Sequence, residues 1–489
     1  MIALAIISCG GGGGSGASTP STAGNGSAAS SSGSTETTGT TSGAVNKQLQ
    51  IKLQGMYTGA VATLQSNTGN SVQITGNGTY QIEADVSGGL TKSIKMAKQP
   101  VAQNCTPDTS TTSSTSNDSD TLTLNCGSLR NFYFEFTGPP NAATTNGKLV
   151  IDASGNLYGT SSSGGAYGKG LVYTIAPDGT ETDLYSFGTS STDGTSPQNG
   201  LLMDAAGNLY GVTQTGGQYG QGTVYKLTQA GVESVLYSFG AYTGDGTMPL
   251  FALIMDGIGN IYGTTLSGGA NLNYGTVFKL APDGMETILH SFAFVGDGFY
   301  PEGTLYMDGS GNLFGTTVGG GTGTLGHGTL YEIDSTGNYS TLYSFGQTAV
   351  DAAEPQSGLI ADASGNLYGT SVGGGTYGNG SVYSYSPGGS VSVLYSFGAV
   401  SNDGSQPQTE LTMDMFGNLF GTTMLGGANN LGTVFVITPL GIQTTVFSFD
   451  ALVNGAYPES GLAIDAYGNL YGTTVNGGGP GWGTIYQIY

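Results

Sequence analysis

The chain has 489 residues, and its 89 glycines argue against long helices, while 37% hydrophobic and 10% aromatic residues argue against disorder. Short strands joined by turns fit this composition best. The chain from Lys148 onward contains 25 acidic residues, four lysines and no arginine, which gives it a net charge of about −21. Because such a polyanion repels phosphate backbones and anionic lipid surfaces, we do not expect nucleic acid as a partner.

The N-terminus, residues 1–9, resembles the end of a bacterial lipoprotein signal peptide, with Ile6-Ile7-Ser8-Cys9 in the place of the lipobox. The resemblance implies lipidation of Cys9 and anchoring in the bacterial cell envelope, at the outer membrane or the cell surface. A basic segment is missing and the apolar run is short, which we attribute to a start codon placed too late. The alternative is a chance apolar start with a free cysteine.

Two segments follow before the repeats. Residues 10–46 are almost wholly Gly, Ser, Thr and Ala, which predicts a disordered tether. Residues 47–127 carry alternating strand patterns around an Asn77-Gly78 turn, which predicts a small β-sandwich-like domain. It is similar to small domains of bacterial surface proteins through Leu64-Gln-Ser-Asn-Thr-Gly69. With Cys9 acylated, Cys105 and Cys126 are left as one even pair, and we expect a structural disulfide.

The rest of the chain is a tandem repeat. The pattern Asp-x-x-Gly-Asn, followed by an aliphatic residue, an aromatic residue and glycine, occurs seven times at steps of 52, 52, 52, 54, 52 and 51 residues. The copies begin at Asp152, Asp204, Asp256, Asp308, Asp362, Asp414 and Asp465. A period of this length with four short strands per copy predicts an all-β fold, a seven-bladed β-propeller over residues 128–489.

In the second copy the predicted strands are A (Leu201–Asp204), B (Leu209–Thr213), C (Thr223–Leu227) and D (Ser234–Phe239), and Asp204-Ala-Ala-Gly-Asn208 is a tight turn between A and B. We expect a left-handed conformation at Gly207. The last copy lacks strand D, and Arg130–Phe136 just before the repeats has the strand-D pattern. The prediction is therefore a 1+3 closure, in which the N-terminal strand completes the last blade.

The repeats resemble the Gloeo/Verruco (GloVer) repeat family, whose copies combine Asp-x-x-Gly-Asn-Leu-Tyr-Gly-Thr-Thr with Gly-Gly and Gly-Thr-Val-Phe-Lys-Leu. Leu253–Thr265, Gly268-Gly269 and Gly275–Leu280 carry the resemblance. It implies a secreted or surface-anchored propeller, but it brings no activity and no catalytic residues.

The most regular candidate site is a set of acidic or amide residues in the D–A loops, 11 residues before the Asp of the next copy. These residues are Asn141, Asp193, Asp245, Asp297, Asp351, Asp403 and Asn454. Gly-Gly pairs of the B–C loops belong to the same face. One hypothesis is that these residues form a collar, which binds Ca²⁺ weakly or binds another ligand. The alternative, which we favour, is that each side chain caps its own turn.

No catalytic residue and no metal site are predicted, because His290 and His327 have no partner at a triad or ligand spacing. Glu302, Glu354, Glu410 and Glu459 are scattered over four copies, which favours binding over catalysis. We expect a monomeric, lipid-anchored binding or scaffolding module for a glycan or protein ligand, without a cofactor. The alternative is a surface hydrolase or lyase that uses carboxylates on the loop face.

Overall fold

A computed structural model describes residues 46–54, 56, 62–85, 94–98, 104–107, 121–127, 130–145, 147–271, 273–294, 296–322, 326–450 and 454–488. All regular secondary structure within these ranges is β-strand. The predicted all-β class is confirmed.

The segment before the repeats folds into two sheets. Its strands are β1 (Asn46–Gln54), β2 (Ala62–Ser66), β3 (Ser71–Ile74), β4 (Gly78–Asp85), β5 (Ile94–Lys98), β6 (Asn104–Pro107) and β7 (Thr121–Gly127). One sheet has the order β4-β1-β7-β6 with β1 and β7 parallel, and the other has the order β3-β2-β5. Leu49 of the first sheet and Leu64 and Ile74 of the second are fully buried in one apolar cluster. The two sheets thus share a core.

The repeats form seven antiparallel sheets of four strands within the described residues, numbered I to VII. After β8 (Arg130–Glu135), sheet I contains β9 (Val150–Ile151), β10 (Leu157–Ser161), β11 (Leu171–Ile175) and β12 (Glu181–Ser186). Sheet II contains β13 (Gly194–Met203), β14 (Leu209–Gly216), β15 (Thr223–Leu227) and β16 (Glu233–Ser238). The chain then passes through β17 (Gly246–Thr247), β18 (Ile254–Met255), β19 (Ile261–Thr265), β20 (Ser267–Gly268), β21 (Thr276–Leu280) and β22 (Glu286–Ser291). Sheet III is β18-β19-β21-β22, and β17 pairs with β20.

The remaining sheets repeat this plan. Sheet IV contains β23 (Gly298–Met307), β24 (Leu313–Gly320), β25 (Thr329–Ile333) and β26 (Tyr339–Ser344). The next strands are β27 (Ala352–Ala353), β28 (Ile360–Ala361), β29 (Leu367–Ser371), β30 (Gly373–Gly374), β31 (Ser381–Tyr385), β32 (Val391–Ser396), β33 (Gly404–Ser405), β34 (Thr412–Met413), β35 (Leu419–Thr423), β36 (Leu425–Gly426), β37 (Thr433–Ile437) and β38 (Gln443–Ser448). Sheet V is β28-β29-β31-β32 and sheet VI is β34-β35-β37-β38, while β27 pairs with β30 and β33 with β36.

The last sheet takes one strand from the beginning of the repeat region. Sheet VII consists of β39 (Ala463–Ile464), β40 (Leu470–Thr474), β41 (Thr484–Ile488) and β8. In the antiparallel β41–β8 ladder Ile485 lies opposite Phe134, as Val224 lies opposite Tyr237 in sheet II. The strand before the repeats therefore has the register of a strand D.

The repeated turn between strands A and B explains why its sequence recurs. In sheet II, the Asp204 carboxylate accepts hydrogen bonds from the backbone N–H groups of Ala206 and Asn208 at 2.9 Å, from the Asn208 amide at 2.7 Å and from the Tyr210 hydroxyl at 3.1 Å. Gly207 has a φ of +75°, a left-handed conformation that costs a side-chain-bearing residue energy. The predicted conformation of the turn glycine is confirmed.

Aromatic rings join each sheet to the next. The Phe that follows strand D meets the aromatic residue of strand C in the neighbouring sheet edge to face, with ring centroids 5.0 to 5.2 Å apart. The pairs are Phe187–Tyr225, Phe239–Phe278, Phe292–Tyr331, Phe345–Tyr383, Phe397–Phe435, Phe449–Tyr486 and Phe136–Tyr173. The last pair joins sheet VII to sheet I. A strand-B glycine makes room for the strand-C ring, since a Cβ on Gly211 would overlap the Tyr225 hydroxyl.

The small N-terminal domain shares one apolar cluster with sheets VI and VII. Its apolar cluster is continuous with Phe420 and Val436, both fully buried. Lys226 and Glu332 occupy the position of Val436 in other sheets and remain partly exposed. The apolar residue in sheet VI therefore belongs to the cluster that the small domain shares.

Candidate functional site

The D–A loop aspartates are engaged by their own loops. The Asp193 Oδ2 atom accepts hydrogen bonds from the N–H groups of Gly188 and Thr189 at 2.7 and 2.8 Å and from the Tyr185 hydroxyl at 2.9 Å. Asp245 repeats this arrangement with Tyr237, Gly240 and Ala241. Carboxylates that satisfy buried backbone donors in this way hold the loop in shape.

The other residues of the predicted collar have similar local roles. Asp351 and Asp403 accept bonds from the Tyr343 and Tyr395 hydroxyls, and Asp297 accepts one from His290. Asn454 bonds to Asp450 and Asn141 to Thr137, each within its own loop. Among the described residues, no three His, Cys, Asp or Glu side chains come close enough to hold one metal ion. The Ca²⁺ collar stays a prediction, and the contacts support the alternative that these residues cap their turns.

The B–C and D–A loops on this face are fastened to one another. A Cβ on Gly216 would lie 2.5 Å from the Asp193 carbonyl oxygen, and Gly217 donates its N–H to the same oxygen at 2.8 Å. The N–H of Met248 donates to Gln221, and its carbonyl accepts from Leu266. The residue before the loop proline, or before Thr145 in its place, has a positive φ in every copy: Thr144, Ser196, Met248, Tyr300, Glu354, Gln406 and Tyr457. The Gly-Gly pairs thus permit a close backbone approach.

The two histidines lie in different surroundings. His290 Nε2 is 2.8 Å from Asp297 Oδ2, and the His290 ring stacks on Tyr339 with the centroids 3.7 Å apart. Although burial acts to raise it, hydrogen bonds from His290 and Tyr339 hold the pKa of Asp297 below its usual value. His327 Nδ1 lies 3.6 Å from the half-exposed Glu354. Neither histidine forms a triad with a nucleophile in the part of the chain that the structure describes.

A cavity of about 400 Å³ is lined by segments from all seven sheets, within or just before their first strands. Most of its lining comes from positions four to six residues before the strand-A Asp of each copy. The polar members include Lys148, Asn199, Glu302, Thr304, Gln356, Gln408, Glu410 and Glu459, and Phe251 adds one aromatic ring. This volume is within the range of small-molecule sites.

An ion pair crosses the cavity between sheets that are not consecutive along the chain. The ammonium nitrogen of Lys148, at the start of sheet I, is 2.5 Å from Oε1 of Glu410, at the start of sheet VI. At the equivalent position, sheets V and VII have Gly358 and Gly461. A Cβ on Gly358 would lie 2.7 Å from Glu410 Oε2, and one on Gly461 would lie 3.4 Å from Lys148 Cδ. The small residues of these sheets leave the space in which the pair forms.

Glu302 and Glu459 lie six residues before the strand-A Asp of sheets IV and VII, nearer the D–A loops than Lys148 and Glu410. Burial raises the pKa of Glu302 to about 7 and also raises the pKa of Glu459. No ion pair or hydrogen bond to either carboxylate is found among the described residues. Both groups face space that a ligand can fill.

A family comparison identifies the repeats. The model of the Gloeobacter/Verrucomicrobia repeat matches residues 108–327 and 304–489, more than half of the chain. The chain belongs to the Gloeobacter/Verrucomicrobia repeat family. This membership confirms the resemblance read from the Asp-x-x-Gly-Asn turns.

Three solved structures are distantly similar to this Gloeobacter/Verrucomicrobia repeat chain. Two are extracellular domains from B. thetaiotaomicron, assigned to a hybrid two-component system and to a one-component system. They share 12% and 13% identity, with TM-scores of 0.47 and 0.46 over 87% and 88% of this chain, and 45% and 52% of theirs. The chain thus spans about half the length of these two structures. The third, assigned as a gluconolactonase, shares 15% identity with a TM-score of 0.35 over 60% of this chain and 88% of its own.

Two further findings concern the chain as a whole. In sequence, the repeat chain matches no curated protein. Among its described residues, no helix has the length and apolar character needed to cross a membrane.

The glutamates that are scattered along the chain are not all separated in the folded protein. Glu302, Glu410 and Glu459 come from three copies, and this separation along the chain favoured binding over catalysis. The structure brings all three to one cavity, because segments within or just before the first strand of every sheet line it. Only Glu354 lies elsewhere, beside His327. Two features of the sequence could have indicated this. The glutamates lie at common positions, four or six residues before the strand-A Asp, and most other copies have small or amide residues there.

Both cysteine predictions stay predictions. Cys9 lies outside the described residues, so its lipidation stays a prediction. Cys105 lies directly opposite Cys126 in the antiparallel β6–β7 ladder. Residues opposite each other in such a ladder have Cα atoms about 4.5 to 5.5 Å apart, within the range that a disulfide spans. The predicted disulfide is compatible with this register.

Proposed function

We propose that the seven sheets are the blades of a closed seven-bladed β-propeller and that β8 closes it in a 1+3 arrangement. The Phe136–Tyr173 contact supports closure, because it has the same edge-to-face geometry and nearly the same centroid distance as the six contacts between consecutive sheets. A hydrogen bond of 3.5 Å from the Thr473 hydroxyl to the Thr145 carbonyl oxygen also joins sheet VII to the start of sheet I. In this arrangement β8 pairs with β41 and covers a strand edge of sheet VII.

The propeller acts, in this proposal, as a binding or scaffolding module whose ligand enters the central cavity. The observation that carries the proposal is the pair of unpartnered carboxylates, Glu302 and Glu459, in the cavity that Gln356 and Gln408 also line. Buried charge without a partner is costly to a folded protein, so it is retained where a ligand uses it. The D–A loop aspartates, by contrast, are occupied by their own loops.

The proposed location is the bacterial cell envelope, with Cys9 as a lipid anchor at the outer membrane or cell surface and residues 10–46 as the tether. A monomer fits closure of the sheets. The excess of acidic residues supports the absence of nucleic acid among its partners. Labelling cells with a clickable palmitate analogue should label the protein, and Cys9→Ser should abolish the label. Labelling that persists in this variant contradicts the anchor.

The binding function is tested with the full chain on a glycan array and in pulldowns from the producing cell's surface proteins. The double variant Glu302→Gln/Glu459→Gln should lose the captured ligand, because the cavity loses both free carboxylates. Glu354→Gln is the matched control, since Glu354 is a loop-face glutamate outside the cavity lining and should keep full binding. A ligand held equally by all three proteins does not bind in the cavity.

A surface hydrolase or lyase is the second candidate, and the unequal environments of the cavity glutamates favour it. Glu410 is paired with the Lys148 ammonium group, whereas Glu302 has no such partner and burial raises its pKa to about 7. One ionised and one protonated carboxyl group are the pair that glycoside hydrolysis uses. Turnover of chromogenic glycosides that Glu302→Gln abolishes, while ligand binding remains, would establish this alternative.

A further inference from the structure

We infer that the central cavity binds an organic cation through an alkylammonium group, and that Lys148 acts as an internal occupant of this position. The inference rests on the proposed function and specifies the ligand class of the same cavity. Two features carry it: the charge and aromatic character of the lining, and an ammonium group already held there by a carboxylate.

The lining suits a positive ligand. Three glutamates stand against one lysine, so the cavity keeps a net negative charge when the Lys148–Glu410 pair is formed. Phe251 lines the same cavity as Glu302 and supplies an aromatic ring, and ammonium groups bind favourably over such rings. The excess of acidic residues over the whole repeat region also raises the local concentration of cations.

The distribution of the carboxylates favours an extended organic cation over a metal ion. Metal ions require several ligand atoms around one point. Within the described part of the chain, no three acidic or histidine side chains meet in this way. Glu410 lies at the level of Gly358 and Gly461, whereas Glu302 and Glu459 lie two positions nearer the D–A loops. Two separated levels of negative charge match a molecule with two amino groups.

Lys148 shows how one of these levels recognises its ligand. Its ammonium group contacts Glu410 at 2.5 Å, and the pair spans sheets I and VI. An added alkylammonium group competes with Lys148 for Glu410. A second ammonium group of the same ligand contacts Glu302 and Glu459, where no lysine competes. Removal of the Lys148 charge should therefore strengthen binding.

The test is calorimetric titration of the full chain with 1,4-diaminobutane at pH 8, above the pKa of about 7 of Glu302. 1,4-Butanediol is the uncharged probe of equal length, and CaCl2 is the metal probe. We expect binding of the diamine alone, a loss of about tenfold or more in affinity for Glu302→Gln/Glu459→Gln, and no change for Glu354→Gln. Lys148→Met should bind more tightly by about fivefold or more, because Glu410 becomes free.

Each contrary result has a defined meaning. Equal affinity of the diol, equal affinity of the double glutamine variant, or no diamine heat in either wild type or Lys148→Met overturns the inference. Thermal unfolding of each variant identifies a folding defect, and Lys148→Arg, which keeps the charge, should bind the diamine like the wild type. If a glycan or protein ligand depends on Glu302 and Glu459 but the diamine does not bind, the cation class is wrong and the binding function stands. If nothing depends on these glutamates, both are wrong.

Discussion

The D–A loops and the central cavity are both acidic, but their carboxylates are used in opposite ways. Asp193 and Asp245 are almost fully buried, and each accepts at least three hydrogen bonds within its own loop. Glu302 and Glu459 face a cavity without an ion-pair partner among the described residues. The repeated acids build the sheets and loops, and the acids that depart from the repeat are the ones available to a ligand.

Sheet VI shows that a departure from the repeat can also have a structural cause. Val436 replaces a polar residue of other sheets and is fully buried against the N-terminal domain's cluster. Glu410, in the same sheet, also departs from the repeat, yet it lines the cavity. A departure therefore points to function only where no neighbouring part of the protein covers it.

The largest effect should come from the repeated aromatic contacts, and Phe136→Ala measures the one that joins sheet VII to sheet I. Removal of a buried Phe costs about 3–5 kcal/mol of the free energy of unfolding. In a closed ring, Phe187→Ala should cost about the same, because Phe187–Tyr225 has matching geometry. Urea unfolding followed by circular dichroism measures both. The single tryptophan, Trp482, lies next to Gly138 and reports the closing region by fluorescence.

A much smaller cost for Phe136→Ala than for Phe187→Ala would show that the ring is open at this contact. A loss of the Trp482 signal before the main transition would have the same meaning. Equal costs with one transition support closure.

The next effect separates the two kinds of acid directly. Asp245→Ala should lower the free energy of unfolding by about 3 kcal/mol, because it leaves the N–H groups of Gly240 and Ala241 without their acceptor. Glu459→Gln should change it by less than about 0.5 kcal/mol, because no protein contact is lost. Chemical denaturation gives both values. Similar losses for the two variants would erase the distinction between structural and available carboxylates.

A pH dependence of about 1–2 kcal/mol is expected from the buried glutamates. Burial raises the pKa of Glu233, Glu286 and Glu302 to about 7, from an ordinary value of 4.5. Between these values the unfolded chain binds fewer protons than the folded chain, so stability should fall as the pH rises from about 4.5 to 7. The aspartates whose pKa is lowered, such as Asp204, change the stability only below about pH 3.8, so they do not oppose this trend.

Melting temperatures at pH 5 and pH 8 measure the effect, and Glu302→Gln should reduce the difference between them. A higher melting temperature at pH 8 would mean that these three glutamates are solvated like surface groups. That outcome would remove the contrast between Glu302 and an exposed acid.

The smallest effect concerns the repeated turn, and one turn provides its own control. Gly259 has a φ of +89°, and a Cβ there would make only an ordinary contact with Pro282 at 3.5 Å. Gly259→Ala should therefore cost about 1 kcal/mol through backbone strain alone. Gly257 in the same turn lacks a positive φ, and a Cβ added to it would meet nothing within 4 Å. Gly257→Ala should be neutral or slightly stabilising. Equal melting temperatures of the two variants would contradict the strain argument.

Much of the fold was predictable because each copy repeats its local chemistry. Gly207 was expected to be left-handed and is, and Phe134 has the strand-D register that Arg130–Phe136 predicted. The positive φ of residues such as Met248 could not be anticipated, because these side chains share no chemical type and the strain is held by backbone bonds to neighbouring loops.

The sequence by itself determined the number of repeats, the strands within each and the turn that Asp204 and Gly207 form, because these depend on residues close together in the chain. Tertiary structure alone decided that Lys148 meets Glu410 across 262 positions and that Glu302 and Glu459 share their cavity. One position from every copy, next to the first strand of each sheet, lines this cavity. The spacing of these positions along the chain does not show that they meet. The tertiary structure also decided that the D–A loop aspartates accept hydrogen bonds, because their donors come together only in the folded loops.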